Sequence, residues 1–275
     1  MRINNNIAAF NAYRNLSTTS GQMGKSLEKL SSGFRINRAA DDAAGLTKSE
    51  GLRAEIRGTN QAIKNAQDGI SLVQTAEGAL NEVHSILQRM RELAVGAANT
   101  ATSDGAAEQA EITELIAELD AIGTRTQFSG KAVFDGESRT FQVGANSADT
   151  LSIQFNALSS TTVGGSGEDV DAVSVADVDV TGGGASDAIN TLDEAIAAVS
   201  AQRSQLGASQ NRLEHTIANL QVASENLSAS ESRIRDADMA QEMVTFTRNQ
   251  ILQQAGTAML AQANQVPQSV LSLLR

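Results

Sequence analysis

Residues 189–234 read INTLDEAIAAVSAQRSQLGASQNRLEHTIANLQVASENLSASESRI. Within them Leu192, Val199, Leu206, Leu213, Leu220, Leu227 and Ile234 recur every seven residues, and Ile189, Ile196 and Ile217 stand at the companion position. Seven residues make almost two helical turns, so this spacing keeps the apolar groups on one side of an α-helix. A stripe sustained for so long predicts a coiled-coil helix, and such a helix needs a partner with a matching stripe. The first third of the chain supplies one: Leu52, Ile56, Ile63, Ala66, Ile70, Val73, Leu80, Val83, Leu87, Met90 and Ala94 lie at helical spacing with almost no skipped turn. That run predicts roughly 50 residues of helix without an internal cap, a rod rather than a helix of a globular domain.

Outward from these two runs the same period continues. Ile3, Ile7, Phe10, Tyr13, Leu16, Ser20, Met23, Leu27, Leu30 and Phe34 step by threes and fours, predicting an amphipathic helix. SSGFRINRAADDAAG (31–45) interrupts it with Gly33, and Asp41 and Asp42 read as caps for the next helix. At the other end Met243, Phe246, Leu252, Ala255, Met259, Ala263, Val266, Val270 and Leu273 trace a further stripe. Between the long helices, Ser103 or Asp104 opens a short helix marked by Ile112, Leu115, Leu119 and Ile122. TFQVGANSADTLSIQF (140–155) alternates at Leu151, Ile153 and Phe155 and predicts a β-hairpin. TTVGGSGEDVDAVSVADVDVTGGGAS (161–186) is glycine-rich and acidic, and reads as an exposed loop or short strands.

The fold class that follows is mainly α: a long antiparallel coiled-coil helical rod with a small β-hairpin region and its terminal helices paired. A chain that leaves as coiled-coil helices and returns as coiled-coil helices folds back on itself, pairing residues 45–100 with 190–234 and bringing its ends side by side. The expected domains are an N-terminal helix (1–43), the rod (44–234) and a C-terminal helix (235–275). Within the rod a hairpin is expected near 138–156 and a variable loop at 157–186.

Composition removes several function classes. With 21 Lys and Arg against 32 Asp and Glu the net charge is -11, which repels nucleic acid and anionic lipid. There is no Cys, hence no disulfide and no thiolate metal site. No apolar run reaches membrane-spanning length, so membrane insertion is not expected, and MRINNNIAAFNAYRNLSTTS (1–20) lacks a signal-peptide pattern. If the protein leaves the cell, it needs another export path. His84 and His215 are the only histidines and no HExxH occurs. GGSGEDVDA (164–172) is a single imperfect copy of a calcium nonapeptide with Asp171 at its apolar position, and one copy cannot stack. No catalytic residue, metal or cofactor is expected. Ser159, Ser160, Thr161 and Thr162 offer hydroxyls for O-glycans in a surface region.

The ends pose the remaining question, because VLSLLR (270–275) is apolar almost throughout. Ordering a helix costs about 1–2 kcal/mol per residue in backbone entropy, and two isolated helices can bury only one stripe each. The sequence therefore predicts ends that are disordered in a lone chain and ordered when many copies associate. The residues expected at subunit packing are Ile3, Ile7, Phe10, Leu27, Leu30, Phe246, Met259, Val266, Val270 and Leu273. A head-to-tail contact that does not close gives a filament.

INNNIAAFNAYRNLS (3–17), LEKLSSGFRINRAADDAAGL (27–46), QRMRELAVGAANT (88–100), SRIRDADMAQEM (232–243) and QILQQAGTAMLAQANQVPQSVLSLLR (250–275) carry a resemblance to the bacterial flagellins, the subunits of the flagellar filament. The resemblance implies a homopolymer with the terminal helices as its inner layer, and a minimal member of the family whose variable outer domains are nearly absent. It implies export, unfolded, through the flagellar type III apparatus, a flagellar export chaperone on the C-terminal helix, and filament cap and junction proteins as partners. It also implies host sensing: Arg89, Leu93 and Glu111 match the contact of the surface receptor TLR5, and Val270, Leu271, Leu273 and Leu274 match the run read by a cytosolic flagellin sensor. The rival readings are a hook–filament junction protein of the same apparatus and a secreted coiled-coil adhesin.

Overall fold

The computed structural model describes residues 6–99, 105–163, 173–181 and 183–273, the last of these with side chains through residue 265. Five helices carry most of the chain: α1 (Ile7–Ser32), α2 (Ala43–Ala97), α3 (Ala106–Arg125), α4 (Ala185–Arg235) and α5 (Met239–Leu273). Three antiparallel pairs lie between α3 and α4: β1 (Gln127–Phe128) with β2 (Lys131–Ala132), β3 (Ser138–Gln142) with β4 (Thr150–Gln154), and β5 (Leu158–Ser159) with β6 (Thr162–Val163). The chain divides into a terminal unit, 1–55 with 226–275, and a rod unit, 56–225. Those divisions fall inside α2 and α4, whereas the sequence places its boundaries at their ends.

In the rod unit the two long helices run antiparallel, with Arg91 bridged to Asp193, Arg203 4.0 Å from Glu77, and Ser224 donating to Asn60. Their stripes meet as the heptad predicts. Val73, Leu80, Val83, Leu87 and Met90 of α2 and Leu192, Val199, Leu206 and Leu213 of α4 are fully buried, joined by Ile112 and Leu119 of α3. Alternation in β4 turns Leu151 and Ile153 into the same core while Ser152 and Gln154 face out, and Phe155 follows them in. On α4 the buried cluster stops at Leu213, with Ile217 partly buried at its edge. Beyond it Leu220, Leu227 and Ile234 are only half-buried, although they keep the period.

One part of the rod differs from its reading as a loop. Val163, Val175, Val178 and Val180 are buried core residues. The Gln109 side chain of α3 holds this segment from both sides, donating to the Val178 carbonyl at 3.0 Å and accepting from the Val180 amide at 2.8 Å. Backbone hydrogen bonds also pair Val163 with Val173. The reason lies in spacing: VSVADVDV puts small apolar groups among acids, so a mostly polar stretch still presents one apolar edge to α3. The same packing alters the hydroxyl set. Ser160 is 9% exposed, with its amide and hydroxyl both bound to the Asp120 carboxylate, so it is a structural group rather than a free acceptor. The Ser103 and Asp104 caps and the 164–172 segment lie outside the described residues.

Candidate functional site

The terminal unit is built on α1 and α5, which pack along much of their length. They run antiparallel: Asn6 donates to the Ala263 carbonyl at 2.7 Å, Leu16 faces Gly256, and Phe34 bridges Asp236. The inner face of α1 is Ala9, Ala12, Leu16, Thr19, Met23, Ser26 and Leu30, and that of α5 is Phe246, Asn249, Gln253, Gly256, Leu260 and Ala263. Both sets step by alternating threes and fours, a heptad seam filled largely with small and polar residues. Ser26 and Asn249 are almost completely covered. A Cβ on Gly256 would sit 3.2 Å from Leu16, so the absence of a side chain there lets the helices approach.

This seam corrects the sequence reading of both ends. Each residue advances a helix by about 100°, so three successive steps of three carry the chain half a turn, and Ile7 and Leu16 point to opposite faces. Ile7, Phe10 and Tyr13 are accordingly exposed, at 70%, 68% and 63%, and Leu27, at the edge of the seam, is 57% exposed. On α5, Met243, Leu252 and Met259 are exposed as well, together with Met239, Val244 and Ile251. Of the residues expected at subunit packing, Leu30 and Phe246 lie half-buried. Ile3 and the side chains of Val266, Val270 and Leu273 lie outside the described residues. The ends are a helix pair in this structure, as the fold class predicts, and the close-packed small-residue seam gives each helix one covered face.

The connection between α1 and α2 is firmly held. Gly33 takes the left-handed conformation (φ +76°) that ends α1, and its amide bonds the Lys29 carbonyl. Arg35 N–H donates to the Arg235 carbonyl at 2.7 Å and Ala237 N–H to Gly33 at 2.9 Å. The Arg235 guanidinium lies 4.8 Å from the Phe34 ring and 3.2 Å from Glu50. Ile36, at 2% exposure, covers Gly45. Asp42 caps α2 through the Gly45 amide, as the sequence predicts. Asp41 instead accepts from the Arg38 and Asn37 amides, and these two hydrogen bonds hold its carboxyl below the usual carboxylate range.

Along α5, Met243, Val244, Thr247, Arg248, Ile251 and Leu252 form one exposed and mostly apolar face. Among the described residues no group of three His, Cys, Asp or Glu side chains is placed to hold a metal ion. His84 contacts Gln88 at 3.0 Å on one helix, and His215 is exposed. Arg89 and Glu111 come together across α2 and α3 at 2.8 Å, and with Glu92 this raises the Arg89 pKa. Leu93 does not join them at the surface: it is 8% exposed and belongs to the rod core.

Comparison with known proteins bears on what such exposed helix faces do. The family model described as the bacterial flagellin N-terminal helical region matches residues 3–139, and that of the C-terminal helical region matches 189–274. This chain is a member of the bacterial flagellin family. It is 51% identical to a flagellin of Bacillus subtilis and 54% identical to a flagellin of Halalkalibacterium halodurans, in each case over all of both chains. A solved structure from Vibrio parahaemolyticus, described as that of a "putative flagellar hook-associated protein", shares the fold, with a TM-score of 0.54 and 14% identity, covering 71% of this chain and all of that one. The two matched flagellin regions bracket residues 140–188, which hold the hairpin's return strand and the valine-rich segment on α3.

Proposed function

We propose that this flagellin is a structural, non-enzymatic subunit that polymerises into the bacterial flagellar filament and works outside the cell. The observation that carries the reading is the outward placement of Ile7, Phe10, Tyr13 and Leu27 on α1 and of Met243, Val244, Ile251, Leu252 and Met259 on α5. Large apolar side chains exposed together on both helices of a pair mark a surface that other protein covers. Other copies of the chain cover it after assembly, and a flagellar export chaperone on α5 covers it before. Filament cap and junction proteins meet the same surface at the filament's ends. For a host receptor of the TLR5 type, the surface offered by an isolated subunit is the Arg89–Glu111 pair, with Leu93 serving rod packing. Electron microscopy of purified protein after seeding tests the reading. Long uniform hollow filaments are the expected result, and protein that stays monomeric, or stops at short rings, overturns it.

A further inference from the structure

All of the chain's sulfur is thioether, since it has six Met and no Cys. Five of these methionines lie among the described residues, and they divide by depth. Met90 is fully buried in the rod core, and Met23 is half-buried on the inner face of α1. Met239, Met243 and Met259, all on α5, are 46%, 51% and 66% exposed. Met239 and Met243 stand one helical turn apart and are neighbours on the helix surface. Met243 also lies beside Val244, Thr247 and Ile251 on the mostly apolar face of α5. A thioether there is apolar and oxidisable at once: it packs like a hydrocarbon, but its sulfur carries a lone pair open to two-electron oxidants. The α1–α5 seam leaves these three side chains open to water.

We propose that Met239, Met243 and Met259 form a peroxide-sensitive modification site that controls whether a free subunit can assemble. The sulfur lone pair attacks one oxygen of hydrogen peroxide, and the O–O bond breaks as the S–O bond forms. The proton on the attacked oxygen passes to the departing hydroxide, which leaves as water. The thioether is oxidised by two electrons and the peroxide is reduced by two. Each sulfoxide puts a polar group in place of an apolar sulfur, and burying it without a hydrogen-bond donor is costly. Burial spares Met90, so the rod keeps its fold while the α5 face loses its use. The inference rests on the filament reading and adds a chemical control to it: free chains are sensitive to peroxide, and polymerised chains, with the face covered, are not. Enzymatic reduction returns a sulfoxide to the thioether, so the block is reversible.

The test exposes the full unassembled chain and preformed filaments to hydrogen peroxide and locates the added oxygen by peptide mass spectrometry. In the free chain Met239, Met243 and Met259 should oxidise about tenfold faster than Met90 or more, and in filaments they should slow by a similar factor. The oxidised chain should keep its helicity and its denaturation midpoint while its critical concentration rises about tenfold, and treatment with methionine sulfoxide reductases should restore assembly. A Met239→Leu, Met243→Leu, Met259→Leu variant, apolar and close in volume, should polymerise normally after the same exposure. Four results each overturn the proposal and leave the filament reading standing: Met90 oxidised as fast as the three, the three oxidised equally in chain and filament, an oxidised chain that assembles unimpaired, or a triple variant as peroxide-sensitive as the unmodified chain. Failure of the untreated, unmodified chain to form filaments overturns both.

Discussion

The rod unit and the terminal unit are both helical, and they differ in where they keep their large apolar groups. In the rod, Leu80, Val83, Leu87, Met90, Leu192, Leu206 and Leu213 are within 1% of complete burial. In the terminal unit Ile36, at 2% exposure, is the one large apolar side chain that is buried among the described residues, and the seam of α1 and α5 is made of Ala, Thr, Ser, Asn, Gln and Gly with a few larger groups. The rod therefore stabilises itself, and the ends hold their apolar groups in reserve for contacts outside the chain. Helicity alone does not separate a self-sufficient region from an assembly surface. The direction in which Leu, Met and Phe point does.

The largest effect that could break this contrast is a truncation. A chain lacking residues 236–275 should remain soluble and helical, because the buried cluster lies wholly within 66–213, and it should form no filaments under seeding. Filaments from the truncated chain would show that α5 is not an assembly element.

Hydrogen exchange sharpens the same contrast. Amides of residues 240–265 should exchange with little protection in the unassembled chain and become strongly protected in the filament, whereas amides of residues 76–90 should be protected in both. Equal protection of 240–265 in the two states would mean that the small-residue seam is sufficient by itself.

Paired substitutions come next in size. Leu213→Ala should lower the stability of the unassembled chain by about 2–5 kcal/mol in chemical denaturation, the usual range for a leucine cut from a closed core. Leu252→Ala, on an exposed face, should change it by no more than about 0.5 kcal/mol while raising the concentration needed for assembly. Similar losses in the two variants would erase the distinction between core and surface stripe.

The smallest effect concerns the loop before α2. Asp41 has a lowered pKa through the amides of Arg38 and Asn37, so its ionised form favours the folded state. That contribution is fully present above the unfolded carboxyl pKa of about 4 and is lost as pH falls through the lower folded value. The thermal midpoint of Asp41→Asn should lie slightly below that of the unmodified chain at pH 7, and the two should converge as pH is lowered through and below the ordinary carboxylate range. A gap that widens on acidification would assign the loop's stability to another group.

Much of this was legible from residue spacing. The heptad from Leu192 to Leu213, its antiparallel partner on α2, the Asp42 cap and the alternation of Leu151, Ile153 and Phe155 appear in the structure as read, because each is a large apolar or capping group with a fixed period. The α1 and α5 seams were harder. Ala9, Ala12, Thr19 and Ser26, or Asn249, Gln253 and Gly256, carry little hydrophobic signal, although their own three-four spacing was present to be found. The valines from 173 to 180 were hidden among acids. For Leu93, membership of a helix was readable and its inward direction was not.

The sequence by itself determined the helices, their lengths, the rod's antiparallel seam and the membership of both chain ends in amphipathic segments, since periodicity and caps are local properties of the backbone. Only the tertiary structure decided which face of α1 and α5 is inside. That choice depends on how closely two helix backbones can approach. With Gly256 opposite Leu16 and small residues along both seams, close packing favours the small-residue faces, and the larger apolar side chains are left pointing outward.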